Sequence, residues 1–388
     1  MDFEWPEPLL TLRDRIREFV ARHVIPLESQ ETEEGVPSPA LEAVRRRARE
    51  AGLWLPHLPA EYGGLGLDTL GLCLVFEEAG RSLLGPLVLN CSAPDEGNMH
   101  LLHLFGTTVQ KERYLRPLAE GRTRSTFAMS EPAPGAGSDP TMLRTRARRR
   151  GDGWVIDGLK WFATGAKGAA FAIVVAVTDP DVPPKEGVTL FLVDADTPGY
   201  RIVREIPTMG EGGIAGHYEI ALEGCEVQDS QVLGPTGRGF RLTQVRLGPA
   251  RLTHCMRWLG VAQRSLEIAT ARAREREAFG ARLADHQAVQ WMLADSAMDI
   301  HASRMMVLHA AWKIDRGDEA RVETAMCKAF VAEAVGRVVD RAVQICGALG
   351  YSCDLPLERF YRDVRAFRIY DGPSEVHRMV VARHLLRG

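Results

Sequence analysis

Apolar positions in the first third of the chain recur with helical spacing. Leu12, Ile16 and Phe19 fall three or four residues apart, which places their side chains on one face of a helix. A helical pattern appears again near Asn98. The spacing predicts an N-terminal helical domain over residues 1–124.

The pattern changes near Ser125. Residues 173–177 form a run of β-branched residues with one alanine, and residues 188–193 form a second apolar run. Residues 217–227 alternate more loosely, and glycine and proline cluster between these segments. Short apolar runs bounded by turn residues are typical of strands. The pattern predicts a middle β domain over residues 125–236.

The helical period returns from about Gly239 and persists to the end of the chain. Two stripes recur with this period: Val289, Leu293, Ile300 and Val307, and Val331, Val335, Val338, Ala342 and Ile345. Long amphipathic helices joined by short connections pack as antiparallel bundles. Residues 237–388 are therefore predicted to form a C-terminal helical bundle, which makes the chain mainly α with a central β domain.

Composition and charge argue against several classes of protein. The chain has 388 residues, which is long enough for two or three domains, and 45% of them are hydrophobic. A formal net charge of -3 argues against a nucleic-acid binder, and no apolar run approaches the roughly 20 residues of a membrane span. The acidic start, Met1 to Glu4, lacks the features of a signal peptide, so we expect a cytoplasmic protein. The seven scattered cysteines indicate reduced thiols.

Few local groups of residues in the sequence indicate a catalytic, cofactor or metal site. There is no dinucleotide or Walker glycine signature, and His100 and His103 share a helical face without a third ligand, so we expect no metal site. Asp371 follows an apolar segment and precedes a glycine and a helix-starting proline. Two interpretations are open: a helix-entry aspartate favoured by the helix dipole, or a carboxylate in an apolar cleft whose pKa is raised by desolvation, suited to act as a base.

The motifs, in their order along the chain, resemble those of the acyl-CoA dehydrogenase family. The matching segments are residues 59–64 (PAEYGG), 106–115 (GTTVQKERYL), 127–132 (FAMSEP), 135–139 (GAGSD), 276–280 (REAFG), 344–347 (QICG), 359–363 (RFYRD) and 370–372 (YDG). The resemblance covers nearly the whole chain. It implies a helical domain, a middle β barrel, a C-terminal four-helix bundle and FAD as cofactor.

The resemblance also implies residue roles. Phe127, Met129, Ser130, Phe162 and Thr164 would line the isoalloxazine ring, with Thr164 near the flavin N5.

On the substrate side, Ser138 would bind the CoA moiety. Arg276, Phe279, Gln344 and Gly347 would contact the FAD of a neighbouring subunit, so the resemblance implies a homodimer or a homotetramer built as a dimer of dimers.

For catalysis the resemblance makes Asp371 the base that removes the α-proton of an acyl-CoA, while the β-hydrogen leaves as hydride to flavin N5. Arg251 would lie near this carboxylate, and Tyr370 and Gly372 would border the substrate. The product is a trans-2-enoyl-CoA, as in fatty acid β-oxidation, and an electron-transferring flavoprotein is the expected acceptor.

The chain departs from the family pattern at several positions. Asp371 stands where most members have glutamate, and Ala250 leaves no second candidate base on the first bundle helix. Residues 133–134 lengthen the flavin loop. Residues 93–99, 248–257 and 371–377 look like one branch of the family, with aspartate as base, which in animals forms the C-terminal part of larger fusion proteins.

That branch suggests medium or longer acyl chains, including branched or hydroxylated ones. We hypothesise that Asp95 or Asn98 receives a polar group of the acyl tail, and a helix-entry loop is the alternative role for both.

Three other functions remain open at this stage. Nitroalkane oxidases and acyl-CoA oxidases share the fold, a dehydrogenase-like flavoprotein is associated with DNA alkylation damage, and a scaffold without flavin is the last alternative. The net charge argues against the DNA-associated function.

Overall fold

A computed structural model describes residues 4–30, 38–209 and 216–387. The start of the chain, on which the expectation about a signal peptide rests, lies mostly outside the described residues. The chain divides into two compact units, and we name them by their content. The helical unit comprises Met1–Pro56, Leu67–Leu89 and Arg251–Gly388, and the sheet unit comprises His57–Gly66 and Asn90–Ala250.

The helical unit contains most of the long helices. Its N-terminal part contributes α1 (Glu7–Phe19), α2 (Ser38–Glu50), α3 (Thr69–Ala79) and α4 (Gly85–Val88). The sheet unit contributes α5 (Asp95–Phe105), α6 (Thr108–Gln110) and α7 (Arg116–Ala119). The C-terminal part of the chain contributes α8 (Gly239–Glu275, in the helical unit from Arg251 on), α9 (Gln287–Asp315), α10 (Arg321–Cys346), α11 (Ala348–Tyr351), α12 (Leu357–Phe367) and α13 (Ser374–Leu385). No helix in the described ranges has the length and apolar character needed to cross a membrane.

Helices α9 and α10 run antiparallel. Asp299 of α9 pairs with Arg337 of α10 at 2.5 Å, whereas Lys313, further along α9, pairs with Glu323 near the start of α10 at 2.6 Å. The second ion pair lies later in α9 but earlier in α10 than the first, so the two helices must run in opposite directions. The predicted bundle of long helices is confirmed, with α10 packed against α9, α12 and α13.

The two predicted apolar stripes differ in burial. Every member of the α10 stripe is buried. On α9 only Ile300 and Val307 are buried, whereas Val289 and Leu293 in its first half remain partly exposed. Trp291 is 62% exposed in the same stretch. The first half of α9 therefore presents apolar surface that the helical unit does not cover.

The sheet unit is built on an eight-stranded sheet. Its strands are β1 (Ser125–Ala128), β2 (Arg146–Arg150), β3 (Gly153–Thr164), β4 (Phe171–Val177), β5 (Val188–Asp194), β6 (Tyr200–Glu205), β7 (His217–Gln228) and β8 (Val232–Leu233). Their order is β6-β7-β3-β2-β4-β5-β8, with β1 added parallel to β4. The predicted central β domain is confirmed, although the limits at residues 124 and 236 stay predictions.

Burial explains the two apolar runs. Strands β4 and β5 pair antiparallel over residues 171–177 and 188–194, and six of the seven residues in each strand are buried. A strand covered on both faces carries apolar side chains at successive positions, whereas a half-exposed strand alternates apolar and polar residues.

Candidate active site

Asp371 lies in the turn between α12 and α13. Its backbone has φ 52°, in the left-handed region, and Gly372 follows with φ 99°. Aspartate adopts this region more readily than most residues, at a cost of about 1 kcal/mol or more. A Cβ at position 372 would lie 2.8 Å from His377 Nε2, so only glycine fits there. The turn therefore holds the Asp371 backbone in one uncommon conformation, and its side chain is 21% exposed.

Two neighbours hold the main-chain carbonyl of Asp371. Arg251 Nε of α8 donates to it at 2.9 Å, and His377 Nε2 of α13 lies 3.2 Å from it. Burial, together with the charges of Arg251 and Lys328, lowers the pKa of His377 to about 4. The His377 ring is therefore neutral at pH 7 and donates through Nε2–H. The predicted neighbour Arg251 is thus placed beside Asp371, with its hydrogen bond to the main chain.

A second cation supports the same turn from α10. Lys328 is completely buried, and its Nζ donates to Phe367 O at 2.5 Å and lies 3.4 Å from Gly372 O. It also lies 4.4 Å from the ring centroid of Phe367, within cation–π range. Burial lowers the pKa of Lys328 to about 8. Lys328 therefore ties the end of α12 to the residue after Asp371.

The carboxylate of Asp371 faces α8. His254 Nε2 lies 3.3 Å from Asp371 Oδ2, and His254 Nδ1 lies 3.4 Å from the hydroxyl of Tyr370. The indole of Trp258 donates to the same hydroxyl at 2.5 Å. Burial raises the pKa of Tyr370 well above its ordinary value, so the phenol stays protonated.

The sequence patterns indicated no role for His254, Lys328 or His377. A signal for His254 was present, because His254 follows Arg251 by three residues on a predicted helix and such residues share a face. Lys328 meets the Asp371 turn only through the packing of α10, so no local pattern could have identified it. His377 lies six residues after Asp371, in the segment 371–377 that resembles one branch of the family, but that pattern alone indicated no role for its side chain.

The residues predicted to line the flavin are brought together in the sheet unit. Met129 and Ser130 follow β1, and Phe162 and Thr164 end β3. Trp161 N donates to Ser130 O at 2.8 Å, and Thr126 Oγ1 donates to Thr164 O at 2.8 Å. These bonds fix the end of β1 against the end of β3.

A buried ion pair anchors the same junction. Lys160 Nζ contacts Glu131 Oε1 at 2.9 Å and Met129 O at 3.1 Å, and both side chains are buried. Glu131 also accepts backbone N–H groups of Arg144 and Thr145. Burial raises the pKa of Glu131, but Lys160 and Thr145 outweigh it and the net pKa is lowered, whereas burial lowers the pKa of Lys160 to about 8.

The β1–β3 junction fits a flat ligand with a polar edge. Phe162 has φ 53°, lies at an irregular point of the β3–β7 pairing and leaves its side chain 41% exposed. Trp161 Nε1 is buried and has no hydrogen-bond partner among the described residues. Phe127 is partly exposed, with the guanidinium of Arg246 4.0 Å from its ring centroid. An exposed ring, an unsatisfied N–H and a nearby hydroxyl are suited to the isoalloxazine of FAD.

The remaining predicted residues lie on exposed surface. Ser138 is exposed on the loop after Glu131. In the helical unit, Arg276 and Phe279 belong to a hairpin of β9 (Glu277–Ala278) and β10 (Ala281–Arg282). Phe279 is 99% exposed at its tip. Gln344 and Gly347, also exposed, lie at the end of α10.

Asp95 and Asn98 are buried and already bonded within the sheet unit. Asp95 accepts from Arg124 Nε and from the backbone and hydroxyl of Ser125, all at 2.6–2.7 Å. Asn98 donates to Ser125 Oγ and accepts from Arg246 Nε. These contacts hold α5 against β1, and a polar group of a substrate would have to displace them. The structure gives these two side chains a packing role.

Comparison with known proteins identifies the family. The N-terminal, middle and C-terminal domain profiles of acyl-CoA dehydrogenases match residues 7–122, 126–225 and 237–386. The chain is 40% identical to the Mycobacterium tuberculosis protein named "Probable acyl-CoA dehydrogenase FadE2", over 99% of this chain and 96% of that protein. The chain belongs to the acyl-CoA dehydrogenase family, and it is an FAD-dependent oxidoreductase.

Two further proteins are similar to this chain over most of its length. The chicken (Gallus gallus) protein named acyl-CoA dehydrogenase family member 11 is 38% identical over 95% of this chain. The chain spans 49% of that protein, about half its length. A solved Mycobacterium abscessus structure, assigned to the acyl-CoA dehydrogenases, superimposes with a TM-score of 0.93 at 36% identity, covering 99% of both chains.

Proposed function

We propose that this protein removes the α- and β-hydrogens of a medium- or longer-chain acyl-CoA, with Asp371 as the base, to give the trans-2-enoyl-CoA. The observation that carries this proposal is the Asp371 turn. Its main chain is fixed by Arg251, Lys328 and His377, whereas its carboxylate stays partly accessible. A turn held this firmly in an uncommon conformation is expected where a side chain must point in one direction.

The chain's own residues account for the proton transfer. An α-hydrogen of a thioester is weakly acidic, so a positioned base is needed to remove it. The positive charges of Arg251 and Lys328 favour the ionised carboxylate that this task requires. The backbone N–H of Asp371 would donate to the thioester carbonyl and stabilise enolate charge. FAD, when bound, accepts the β-hydrogen with its electron pair.

The cofactor would be held by residues of two subunits. Phe127, Met129, Ser130, Phe162 and Thr164 line the β1–β3 junction described above and would contact the isoalloxazine.

The partner subunit would supply the exposed residues Arg276, Phe279, Gln344 and Gly347. Phe279 at 99% exposure and the uncovered first half of α9 support a homodimer or homotetramer, because an isolated protomer would leave these apolar groups in water. Light scattering of the purified protein measures the oligomeric state.

Substrate and partner assignments follow from the family. The branch that the sequence resembles suggests acyl chains of medium or greater length, including branched or hydroxylated ones. Ser138, Tyr370 and Gly372 would border the bound acyl-CoA. An electron-transferring flavoprotein would reoxidise the flavin.

An anaerobic titration with acyl-CoAs of increasing chain length tests this proposal. The oxidised flavin band of the purified protein is expected to bleach with one chain class. Asp371→Asn should slow bleaching roughly 1,000-fold, since a general base contributes about 10²- to 10⁴-fold.

Glu375→Gln is the matched control for that variant. Glu375 is an exposed carboxylate four residues further on, so its removal changes the local charge equally and should leave the rate unchanged. If no acyl-CoA bleaches the flavin, the proposal fails, and rapid reoxidation by oxygen with product bound would identify an oxidase instead.

A further inference from the structure

Four side chains of the helical unit form a continuous row that ends on the Asp371 carboxylate. Trp258 Nε1 lies 2.5 Å from the Tyr370 hydroxyl, Tyr370 lies 3.4 Å from His254 Nδ1, and His254 Nε2 lies 3.3 Å from Asp371 Oδ2. Trp258 and His254 lie one turn apart on α8, and Tyr370 and Asp371 are adjacent in the turn.

The groups that can only donate determine the direction of the hydrogen bonds in this row of side chains. An indole N–H can only donate, so the Tyr370 oxygen accepts from Trp258 and its own proton is free to point at His254 Nδ1. An Arg257 guanidinium nitrogen also lies 3.3 Å from Nδ1, and a guanidinium cannot accept. The Arg257 contact requires Nδ1 to be unprotonated, and the Tyr370 hydroxyl can then donate to the same nitrogen. His254 is therefore neutral, and its one ring proton is on Nε2, facing Asp371.

We infer that His254 is a positioning residue that fixes the base: its Nε2–H holds Asp371 Oδ2 and so orients the carboxylate that takes the α-proton of the substrate. This inference rests on the proposed role of Asp371. An aspartate side chain that is free to rotate would present either oxygen in many directions, and small misplacements of a reacting group cost up to about 100-fold in rate. A donor to one oxygen removes that freedom and stabilises the ionised form.

The surrounding charges are consistent with this role. From α8, Arg251 bonds the main chain of Asp371 and His254 its carboxylate. Lys328 of α10 and His377 of α13 bond carbonyls of the same turn. Arg257, also on α8, lies 3.3 Å from His254 Nδ1, the ring nitrogen that does not face Asp371. Within this group, His254 Nε2 contacts the carboxylate oxygen Asp371 Oδ2.

Two amide variants test the inference. His254→Gln places an amide N–H about where Nε2 lies, whereas His254→Asn is one methylene shorter and places it about where Nδ1 lies. Both variants keep a polar side chain. A slower reaction seen only in His254→Asn is therefore due to the missing hydrogen-bond donor at Asp371. Flavin content and melting temperature of both variants establish that they are folded and loaded.

The readout is exchange of α-hydrogens for deuterium in a 3-thia-acyl-CoA, followed by mass spectrometry. Sulfur replaces the β-carbon of this probe, so no hydride can leave and only the base is measured. His254→Asn should slow exchange about 10- to 100-fold and move the acidic limb of its pH profile to higher pH. His254→Gln should stay within about fivefold of the wild type, and KM for a reactive acyl-CoA should change little in either.

The outcomes separate the two proposals. Wild-type exchange rates in both variants, or an equal loss in both, would overturn the role of His254 and leave Asp371 as base. A wild-type protein that neither exchanges the probe nor bleaches with any acyl-CoA would remove the proposed function, and this inference with it.

Discussion

The Asp371 turn and the Phe162 end of β3 are the two candidate reactive regions, one in each compact unit, and they are built differently. Asp371 is held by residues of its own unit on both its main chain and its carboxylate. Phe162 leaves its ring 41% exposed, and the neighbouring Trp161 N–H has no partner among the described residues. The chain completes the first region by itself and leaves the second to be completed by a ligand.

The difference has a physical reason. Proton transfer needs a donor and acceptor at hydrogen-bond distance in one orientation, so the base must be fixed before the substrate arrives. A ring surface that receives a flat cofactor gains its energy from contact area, and that surface becomes buried only when the cofactor binds. Changes at the two regions should therefore have different signatures.

The largest expected effect is at the buried ion pair beneath the β1–β3 junction. Lys160→Met removes the cation from Glu131 and leaves a buried carboxylate, which should cost about 3–5 kcal/mol of unfolding free energy. The same change frees the Met129 carbonyl, so FAD retention should also fall. Urea unfolding and flavin content measure both effects.

The double variant Lys160→Met/Glu131→Gln serves as the control for this prediction. It removes the unpaired charge and should recover much of the lost stability. A loss below about 1 kcal/mol in Lys160→Met alone would mean that the backbone N–H groups around Glu131 suffice to hold the carboxylate.

The next effect concerns pH and the Asp371 turn. His377 takes up a proton only near pH 4 in the folded protein, whereas the unfolded chain does so near 6.5. Between these values the unfolded state binds more protons, so stability falls as pH falls from about 6.5 to 4, by about 3 kcal/mol from this residue. His377→Gln keeps an N–H donor for the Asp371 carbonyl and should flatten the decline.

Urea unfolding of wild type and His377→Gln at pH 4.5 and 7 checks this prediction. The two proteins should differ more in their loss of stability than in their stability at pH 7. Equal losses in both would show that the His377 ring is protonated in the folded protein.

The smallest expected effect concerns FAD binding at Phe162 in the sheet unit. Phe162→Leu should weaken FAD binding about tenfold, because aromatic stacking contributes about 0.5–1.5 kcal/mol, and should leave the protomer's melting temperature unchanged since the ring is exposed. Leu159→Ala, at 44% exposure on the same strand, is the matched control. Fluorescence titration of the apoprotein with FAD measures both, and unchanged affinity in Phe162→Leu would exclude the ring from the cofactor surface.

Sequence patterns predicted the elements well where one face of an element is buried within its own unit. The α10 stripe is buried throughout, and the runs at residues 173–177 and 188–193 lie in β4 and β5. The α9 stripe was less informative, because Val289 and Leu293 lie in a half of the helix that the unit leaves partly uncovered. Periodicity shows which face is apolar, and packing determines whether that face is buried.

The sequence by itself determined the order of helices, strands and helices, the family and its cofactor, and the candidate carboxylate, because these depend on local periodicity and on motifs that occupy short stretches of chain. Only the tertiary structure decided which groups surround that carboxylate. Lys328 and His377 are far from Arg251 in sequence and meet at one turn because α8, α10 and α13 pack around it. Contacts between distant residues fix the orientation and charge of Asp371, and no local pattern encodes them.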